Sequence, residues 1–296
     1  MHDDASQQRA SRLTGIALMC GAVTCFAFLD TTAKYLNLHM STLEVVWARY
    51  TGAFIYPFIL SNPWNRPGLT RTTRPVLQIG RSVLLLGSTM LNFAALRYLQ
   101  LDEAVALQFS TPFFVAALSG PILGEWVRWR RWTAIIVGFI GVLVVTRPGP
   151  GSFQPAALLS LTGAVCYAVY ALSTRILART DSNETTLFYS NIVGAAVLLP
   201  VVPFFWTTPT EALVIALMFA AGALGSFGHY LLIAAHRLAP AAVLSPFIYT
   251  EIVLVIVLGF LVFGDLPTRW TIIGAAIVVG SGLYILHRER RVRGRG

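Results

Sequence analysis

Charged residues are scarce in this sequence. Of its 296 residues only 12% are Asp, Glu, Lys or Arg, whereas 56% are hydrophobic and the mean hydropathy is +0.68. A soluble globular domain carries roughly 25% charged residues, so this composition excludes one. The apolar residues form runs of about 20 instead of alternating segments of about 10. Because backbone polar groups must be paired inside lipid, such runs favour membrane-spanning helices over barrel strands.

Cysteine and histidine are also few, with three and five residues. Cys20, Cys25 and Cys166 fall in apolar runs without the spacing of metal ligands, which predicts packed free thiols and no metal site. The sequence contains neither H-E-x-x-H nor G-x-S-x-G, so a membrane protease or acyltransferase is disfavoured. We therefore expect a protein that is not an enzyme and holds no cofactor.

Ten apolar segments are long enough to be membrane spans. They are residues 13–35, 43–61, 76–97, 103–123, 132–147, 155–177, 186–206, 211–235, 240–263 and 270–287. The first is longer than the apolar region of a signal peptide and lacks a small-residue cleavage pattern, so we expect it to be retained. The sequence predicts an all-α polytopic membrane protein with ten transmembrane helices.

The net charge of +9 is unevenly distributed. Sixteen basic residues fall in the connections on the side shared by both predicted termini, and four fall on the other side. By the positive-inside rule, both termini are then cytoplasmic and the protein is a multi-pass component of the inner (plasma) membrane. The C-terminal HRERRVRGRG is interpreted as a topology anchor in contact with anionic lipid, so we expect the bilayer and no nucleic acid as a partner.

The chain repeats itself after about 140 residues. AALR at 94–97 matches AAHR at 234–237, and CFAFLDTTAKYL at 25–36 matches CYAVYALSTRIL at 166–177. Such offsets indicate a duplicated unit of five spans, which places the boundary near residue 150 and predicts domains 1–150 and 151–296. Because five is odd, the second copy enters the membrane from the opposite side, giving two inverted five-helix repeats.

Inverted repeats are typical of alternating-access transporters, in which substrate is held near the midplane between the halves. A seven-span receptor is opposed by the span count and the duplication. A channel or a structural membrane protein stays open as an alternative, since sequence does not show alternating access.

Two short motifs resemble a known family. LGEWVRW at 123–129 has a weaker copy, FGDLPTRW at 263–270, and STP at 110–112 and YTE at 249–251 precede them. These segments resemble the drug/metabolite transporter superfamily, specifically its EamA-type ten-helix exporters, including YddG-type amino-acid exporters. The resemblance implies export of small metabolites, most often amino acids, with efflux of lipophilic cations as the alternative. Two positions depart from the family pattern, Ile252 in place of proline and Asp265 in place of glutamate.

Glu251 lies near the centre of an otherwise apolar run. A carboxylate at bilayer depth costs several kcal/mol unless it meets a partner or water, so such residues are rare and usually functional. The available partners are Arg49, Arg81 and His229. Three interpretations stay open: a structural ion pair, a carboxyl that exchanges a proton during transport, or the lining of a wet cavity. Glu251 and His229 are the candidates for proton coupling.

Other polar and aromatic residues in the spans are candidates for binding a small-molecule substrate. Arg49 or Arg81 is expected to meet a substrate carboxylate, and Glu251 an amine, together with carbonyls freed near Pro112 and Pro246. The full predicted set is Arg49, Arg81, Asn92, Gln108, Thr111, Tyr167, His229, Ser245, Tyr249 and Glu251.

Two local patterns carry simpler expectations. Asp30 and Lys34 are one helical turn apart, which predicts a local ion pair. The last span of each half has a small-x-x-x-small pair, Ala134 with Gly138 and Ala276 with Gly280. Such pairs allow close helix packing within the chain or between two copies, so a homodimer is compatible with the sequence.

Overall fold

A computed structural model describes residues 2–60, 62, 64–65, 68–124, 129–146, 154–177, 180–238 and 247–293. In this part of the chain all regular secondary structure is helical. The first half forms α1 (His2–Leu36), α2 (Thr42–Leu60), α3 (Pro75–Leu96), α4 (Leu101–Gln108), α5 (Thr111–Leu123) and α6 (Trp129–Thr146). The second half forms α7 (Ala156–Leu177), α8 (Asn183–Leu198), a 3-10 turn (Val202–Phe204), α9 (Ala212–Leu238), α10 (Thr250–Leu258) with its π-helical continuation (Gly259–Phe263), and α11 (Arg269–Arg293).

Each predicted span overlaps a helix, and the fourth overlaps two, α4 and α5. By length and hydropathy, five helical stretches in the described residues suffice to cross a membrane: Leu13–Leu36, Pro75–Leu96, Ala156–Leu177, Asn183–Phe204 and Ala212–Ala235. A sixth is the pair Leu101–Val115 and Ala117–Leu123, bent by 42°. The all-helical membrane fold is thus confirmed, and the count of ten spans stays a prediction.

The helix contacts repeat between the two halves. Helix α1 packs against α9 and, correspondingly, α7 packs against α3; α2 packs against α9 as α8 does against α3. Likewise α10 contacts α1, while α4 and α5 contact α7. The remaining large contacts, α2 with α8 and α6 with α11, join equivalent helices to each other. This pattern is what two copies related by a pseudo-two-fold axis produce, as the predicted inversion requires.

Two pairs of glycines allow the closest helix crossings. A Cβ added at Gly52 of α2 would lie 2.8 Å from the Cα of Gly222 in α9. A Cβ added at Gly141 of α6 would lie 2.9 Å from the carbonyl oxygen of Gly274 in α11. Helices α6 and α11 therefore do pack closely within the chain, as small residues at an interface permit.

The two glycines of the predicted small-x-x-x-small pairs, Gly138 and Gly280, do not form this crossing. Gly138 receives the ring of Phe113, and a Cβ added at Gly280 would have no atom within 4 Å. The side chain of Ala134 lies outside the described residues. The sequence spacing identified the right helices but missed the crossing point, because several small residues share the same helix.

The motif glycines end the fourth and ninth spans. Gly124 and Gly264, 140 positions apart, have φ of 73° and 71°, in the left-handed region that L side chains with a Cβ rarely adopt. Both are helix C-caps. The Gly-Glu and Gly-Asp motifs therefore have a structural reason, which is helix termination at repeat-equivalent positions.

Candidate functional site

Glu251 lies in the first turn of α10, deep within the helix bundle, and its side chain is only half-buried. No described basic side chain lies within ion-pair distance of it, since the single ion pair in the described part of the chain joins Lys34 and Asp265. Its electrostatic neighbours are Asp30 of α1 and Tyr167 of α7. A deep carboxylate with accessible surface and no cation beside it fits a water-filled cavity better than a structural ion pair.

Arg49 of α2 is the cation of this region. It is 6% exposed, yet its Nε and Nη1 atoms have no hydrogen-bond partner. Its Nη2 lies 3.5 Å from Nε2 of His229 in α9, and its guanidinium stands 4.6 Å from the centroid of the Tyr50 ring. Asp30 lies within electrostatic reach. Since buried charged donors are normally paired, Arg49 retains binding capacity for an anionic group.

Arg81 of α3 is engaged by the protein. Its guanidinium donates to Thr174 Oγ1 at 2.9 Å, to the Thr186 carbonyl at 2.8 Å and to Ser190 Oγ. It also stands 4.8 Å from the centroid of the Tyr170 ring. These groups belong to α7 and α8, so Arg81 joins the first half to the second. Of the two arginines named as alternatives for a substrate carboxylate, the geometry favours Arg49.

A hydrogen-bonded cluster extends from Arg81 toward the predicted cytoplasmic face. Gln78 donates to Asp181 Oδ2 at 2.7 Å, and Thr72 donates to the same oxygen at 2.5 Å. Tyr189 donates to the Thr70 carbonyl at 3.0 Å. These contacts tie the α2–α3 connection and α3 to α8 and to the α7–α8 connection.

Aromatic rings border the carboxylates and Arg49. Phe26 and His229 meet edge to face with centroids 5.1 Å apart, and Tyr167 and Tyr170 lie 5.3 Å apart. The rings come from α1, α7 and α9, which places aromatic surface from both halves around the charged groups. Such surface can pack against a planar or apolar substrate group.

The fourth and ninth spans meet at equivalent aromatic residues. Phe109 lies in the turn between α4 and α5, Tyr249 lies in the turn before α10, and their ring centroids are 5.2 Å apart. They are 140 positions apart, as are Thr111 and Glu251. The turns at Phe109 and Tyr249 are at matching positions although Ile252 replaces proline.

Three further predicted residues lie in α3 and in the α4–α5 region. Asn92 of α3 has a buried side-chain oxygen with no hydrogen-bond partner. Gln108, at the end of α4, approaches Gly163 of α7, and Thr111 is half-buried at the start of α5. Ser245 and Pro246 lie outside the described residues. Substrate binding by all ten residues of the predicted set stays a prediction.

The expected ion pair between Asp30 and Lys34 is wrong. Lys34 Nζ donates to Asp265 Oδ2 at 2.8 Å, and Asp265 lies in the α10–α11 connection of the other half. Asp30 lies instead in the region of Arg49 and Glu251. Asp30 is therefore a candidate site residue that the one-turn spacing to Lys34 did not predict; its position inside the first apolar run was the signal for it.

The EamA-like transporter family matches the sequence twice, over residues 13–147 and 154–286. The chain belongs to this family. An S-adenosylmethionine uptake transporter of Rickettsia felis is 30% identical over 96% of both chains. A riboflavin transporter of Vibrio cholerae is 27% identical over 94% of this chain and 95% of its own. The family and the relatives confirm a duplicated membrane transporter of the drug/metabolite transporter type.

A solved crystal structure has the same fold. It superimposes with a TM-score of 0.62 over 96% of this chain and 99% of its own, at 18% identity. At that identity the likeness concerns the fold alone. Neither it nor the relatives test which residues bind substrate.

Proposed function

We propose that this protein is an alternating-access transporter of the bacterial inner membrane for a small organic cation that carries an α-amino-acid group, of the S-adenosylmethionine type. Arg49 is the observation that carries the proposal, a buried guanidinium with two unpaired nitrogens in the region of two carboxylates. The Rickettsia relatives, which span nearly the whole chain, support the substrate class.

The charges of the site match this substrate. S-adenosylmethionine has a carboxylate, an ammonium and a sulfonium, so it presents one negative and two positive charges. Arg49 is suited to the carboxylate, because a guanidinium binds a carboxylate in bidentate fashion. Asp30 and Glu251 are suited to the two cationic centres. An amino acid with a neutral side chain, one group within the amino-acid class expected from the family resemblance, would leave one of the two carboxylates uncompensated.

The aromatic rings suit the remaining part of the substrate. Tyr167 and Tyr170 offer faces on which an adenine ring can stack, and His229 stands beside Phe26 on the other side. A lipophilic cation would also use the carboxylates and the rings, but it has nothing for Arg49 to bind. Arg49 therefore distinguishes the proposed substrate from the drug-efflux alternative.

Transport is proposed to be reversible exchange, with its direction set by the gradients of substrate and of any coupled ion. Export was the expectation from the family resemblance, whereas the Rickettsia relatives are named uptake transporters. Glu251 and His229 keep the proposed role in proton coupling. An imposed pH gradient that leaves both the rate and the extent of uptake unchanged would remove that role.

Counterflow in proteoliposomes tests the proposal. Vesicles preloaded with unlabelled S-adenosylmethionine should accumulate the labelled compound transiently, because only a carrier shows exchange acceleration. Methionine, adenosine, riboflavin and tetraphenylphosphonium are the competitors. Glu251→Gln should lose counterflow, while Glu211→Gln, which alters an exposed carboxylate, should retain it.

Two outcomes would contradict the proposal. Stronger competition by tetraphenylphosphonium than by S-adenosylmethionine would move the assignment to drug efflux. Uptake without acceleration by internal substrate would indicate a channel.

A further inference from the structure

Lys34 lies near the end of the first span, at the predicted external face. Its ammonium group is surrounded by hydrogen-bond acceptors and an aromatic ring, a set of groups here called the cage. Its Nζ atom donates to Asp265 Oδ2 at 2.8 Å and to the Leu99 carbonyl oxygen at 3.0 Å. The same atom stands 4.8 Å from the centroid of the Phe263 ring. The Lys34 side chain is only 12% exposed. This ammonium is therefore largely removed from water and has several different partners.

A second carboxylate belongs to the same cluster. Asp102, in the first turn of α4, is 3% exposed and interacts electrostatically with both Lys34 and Asp265. Its Oδ2 atom is buried and has no hydrogen-bond partner. A single lysine thus serves two carboxylates, one of them buried, which leaves an excess of negative charge in the cluster.

The set of partners is what a primary ammonium group requires. An ammonium has three N–H donors and no acceptor, and it binds best to carboxylates, carbonyl oxygens and the face of an aromatic ring. Asp265, Asp102, the Leu99 carbonyl and Phe263 supply all three kinds. Any other primary ammonium group that reached this site could bind the same partners.

The cage also lies where the two halves join. Lys34, Leu99 and Asp102 belong to the first half, whereas Phe263 and Asp265 belong to the second. Close to these residues in sequence, a Cβ added at Gly259 would lie 3.9 Å from the Cβ of Leu101, so the start of α4 and the end of α10 are in contact. Separating the halves at this face requires Lys34 to leave Asp265 and Phe263, whereas Leu99 and Asp102 belong to its own half.

We propose that Asp265, Asp102, the Leu99 carbonyl and the Phe263 ring form an ammonium-binding site at the external end of the transport pathway, which Lys34 occupies as a tethered ligand while that end is closed. When that end opens and Lys34 leaves the second half, the ammonium group of the substrate binds Asp265 and Phe263 in its place on the way to or from the central site. The second part rests on the proposed function; occupancy by Lys34 does not.

Lys34 is the only lysine in the chain, which makes its accessibility measurable. A membrane-impermeant amine reagent is applied outside sealed vesicles, and modification of the Lys34 peptide is followed by mass spectrometry. We expect slow labelling at rest, faster labelling during counterflow, and labelling about tenfold faster at rest in Asp265→Asn, which removes the ion pair. Equal labelling rates in all three conditions would overturn the closed-state role.

Chemical rescue tests the ammonium site itself. Lys34→Ala should lower the thermal stability of the purified protein, and ethylammonium should restore it, because a free primary ammonium fills the vacated cage. Tetramethylammonium should not restore it, since it has no N–H donors. Arg97→Ala, which removes an exposed cation at the same face, is the matched control and should respond to neither ion.

The outcomes separate this inference from the proposed function. Equal effects of ethylammonium and tetramethylammonium on Lys34→Ala would mean salt screening and would overturn the ammonium site. If Lys34→Ala does not yield folded protein, the same thermal rescue is measured on Lys34→Met, which keeps the apolar stem, and equal effects of ethylammonium and tetramethylammonium there would overturn the site equally. Both readouts are independent of whether S-adenosylmethionine is transported.

Discussion

Arg49 and Arg81 show how much a residue's role depends on its partners. Both are buried arginines within predicted spans, each stacked on a tyrosine. The donors of Arg81 are largely satisfied by α7 and α8, whereas two nitrogens of Arg49 have no partner. One arginine therefore stabilises the fold, and the other is available to a ligand.

Substitution of each arginine by glutamine should separate these roles. Arg49→Gln should raise the Kd for S-adenosylmethionine by about 30-fold or more, because a buried charge pair typically contributes 2–5 kcal/mol to binding. Arg81→Gln should instead destabilise the protein by about 2 kcal/mol, the scale of hydrogen bonds to a charged group. Calorimetric binding and thermal unfolding in the same detergent measure the two effects. A larger loss of affinity in Arg81→Gln than in Arg49→Gln would reverse the assignment.

The hydrogen bonds of Asp181 at the predicted cytoplasmic end imply that the thermal stability of the protein depends on pH. Burial acts to raise the pKa of Asp181, but hydrogen bonds from Thr72 and Gln78 outweigh it and hold that pKa below its usual value. Since the folded pKa is the lower one, the carboxylate stabilises the fold above its unfolded pKa, about 4, and the stabilisation is lost as pH falls through the folded value. Wild type should therefore unfold at a higher temperature than Asp181→Asn at pH 7, and the difference should shrink below about pH 4. A difference that stays constant across this range would contradict the role of the charge.

At the scale of helices, α2 and α9 can cross closely because Gly52 and Gly222, which face each other there, have no side chains. Gly52→Ala places a methyl group 2.8 Å from the Cα of Gly222, so the two backbones must separate. Overpacking of this kind costs about 1–3 kcal/mol. Gly87→Ala in α3 is the matched control, because no atom lies within 4 Å of its added Cβ. Thermal unfolding should show a clear loss for Gly52→Ala and little change for Gly87→Ala, and equal effects would mean that the crossing is not tightly packed.

Helix positions were predictable from sequence, while most pairings between helices were not. The length of an apolar run indicates where a helix lies, and each predicted span does overlap a helix; that Gly124 and Gly264 end their helices was not predicted. The partner of Lys34 was missed because Asp265 is 231 positions away, and hydropathy carries no information on which faces of two helices meet. The same limit left Arg49 and Arg81 as equivalent candidates until their neighbours were known.

At the scale of the molecule, the duplication explains the architecture. The two family matches cover most of both halves, and the helix contacts recur when the halves are exchanged. Five spans in each half would invert the second copy. The boundary near residue 150 and assembly into a homodimer stay predictions, the first falling in residues outside the described ranges.

The inversion predicts that both chain ends are on the same side of the membrane. Reporter proteins fused to the N-terminus and to the C-terminus should both be active only as cytoplasmic reporters, because the basic connections and the tail favour that side. A reporter fused at Thr207, in the α8–α9 connection, serves as the control and should behave as external. Ends on opposite sides would exclude two complete five-span repeats.

Cysteine accessibility at position 251 tests the central claim most directly, that Glu251 faces a watery cavity between the halves. Glu251→Cys is made in a chain whose Cys20, Cys25 and Cys166 have been replaced, and sealed vesicles are exposed to a membrane-impermeant thiol reagent. The account predicts that Cys at position 251 is labelled from the aqueous phase and that S-adenosylmethionine protects it. A position 251 that reacts only with lipid-soluble reagents, with or without substrate, would show that it faces hydrocarbon and would contradict the account.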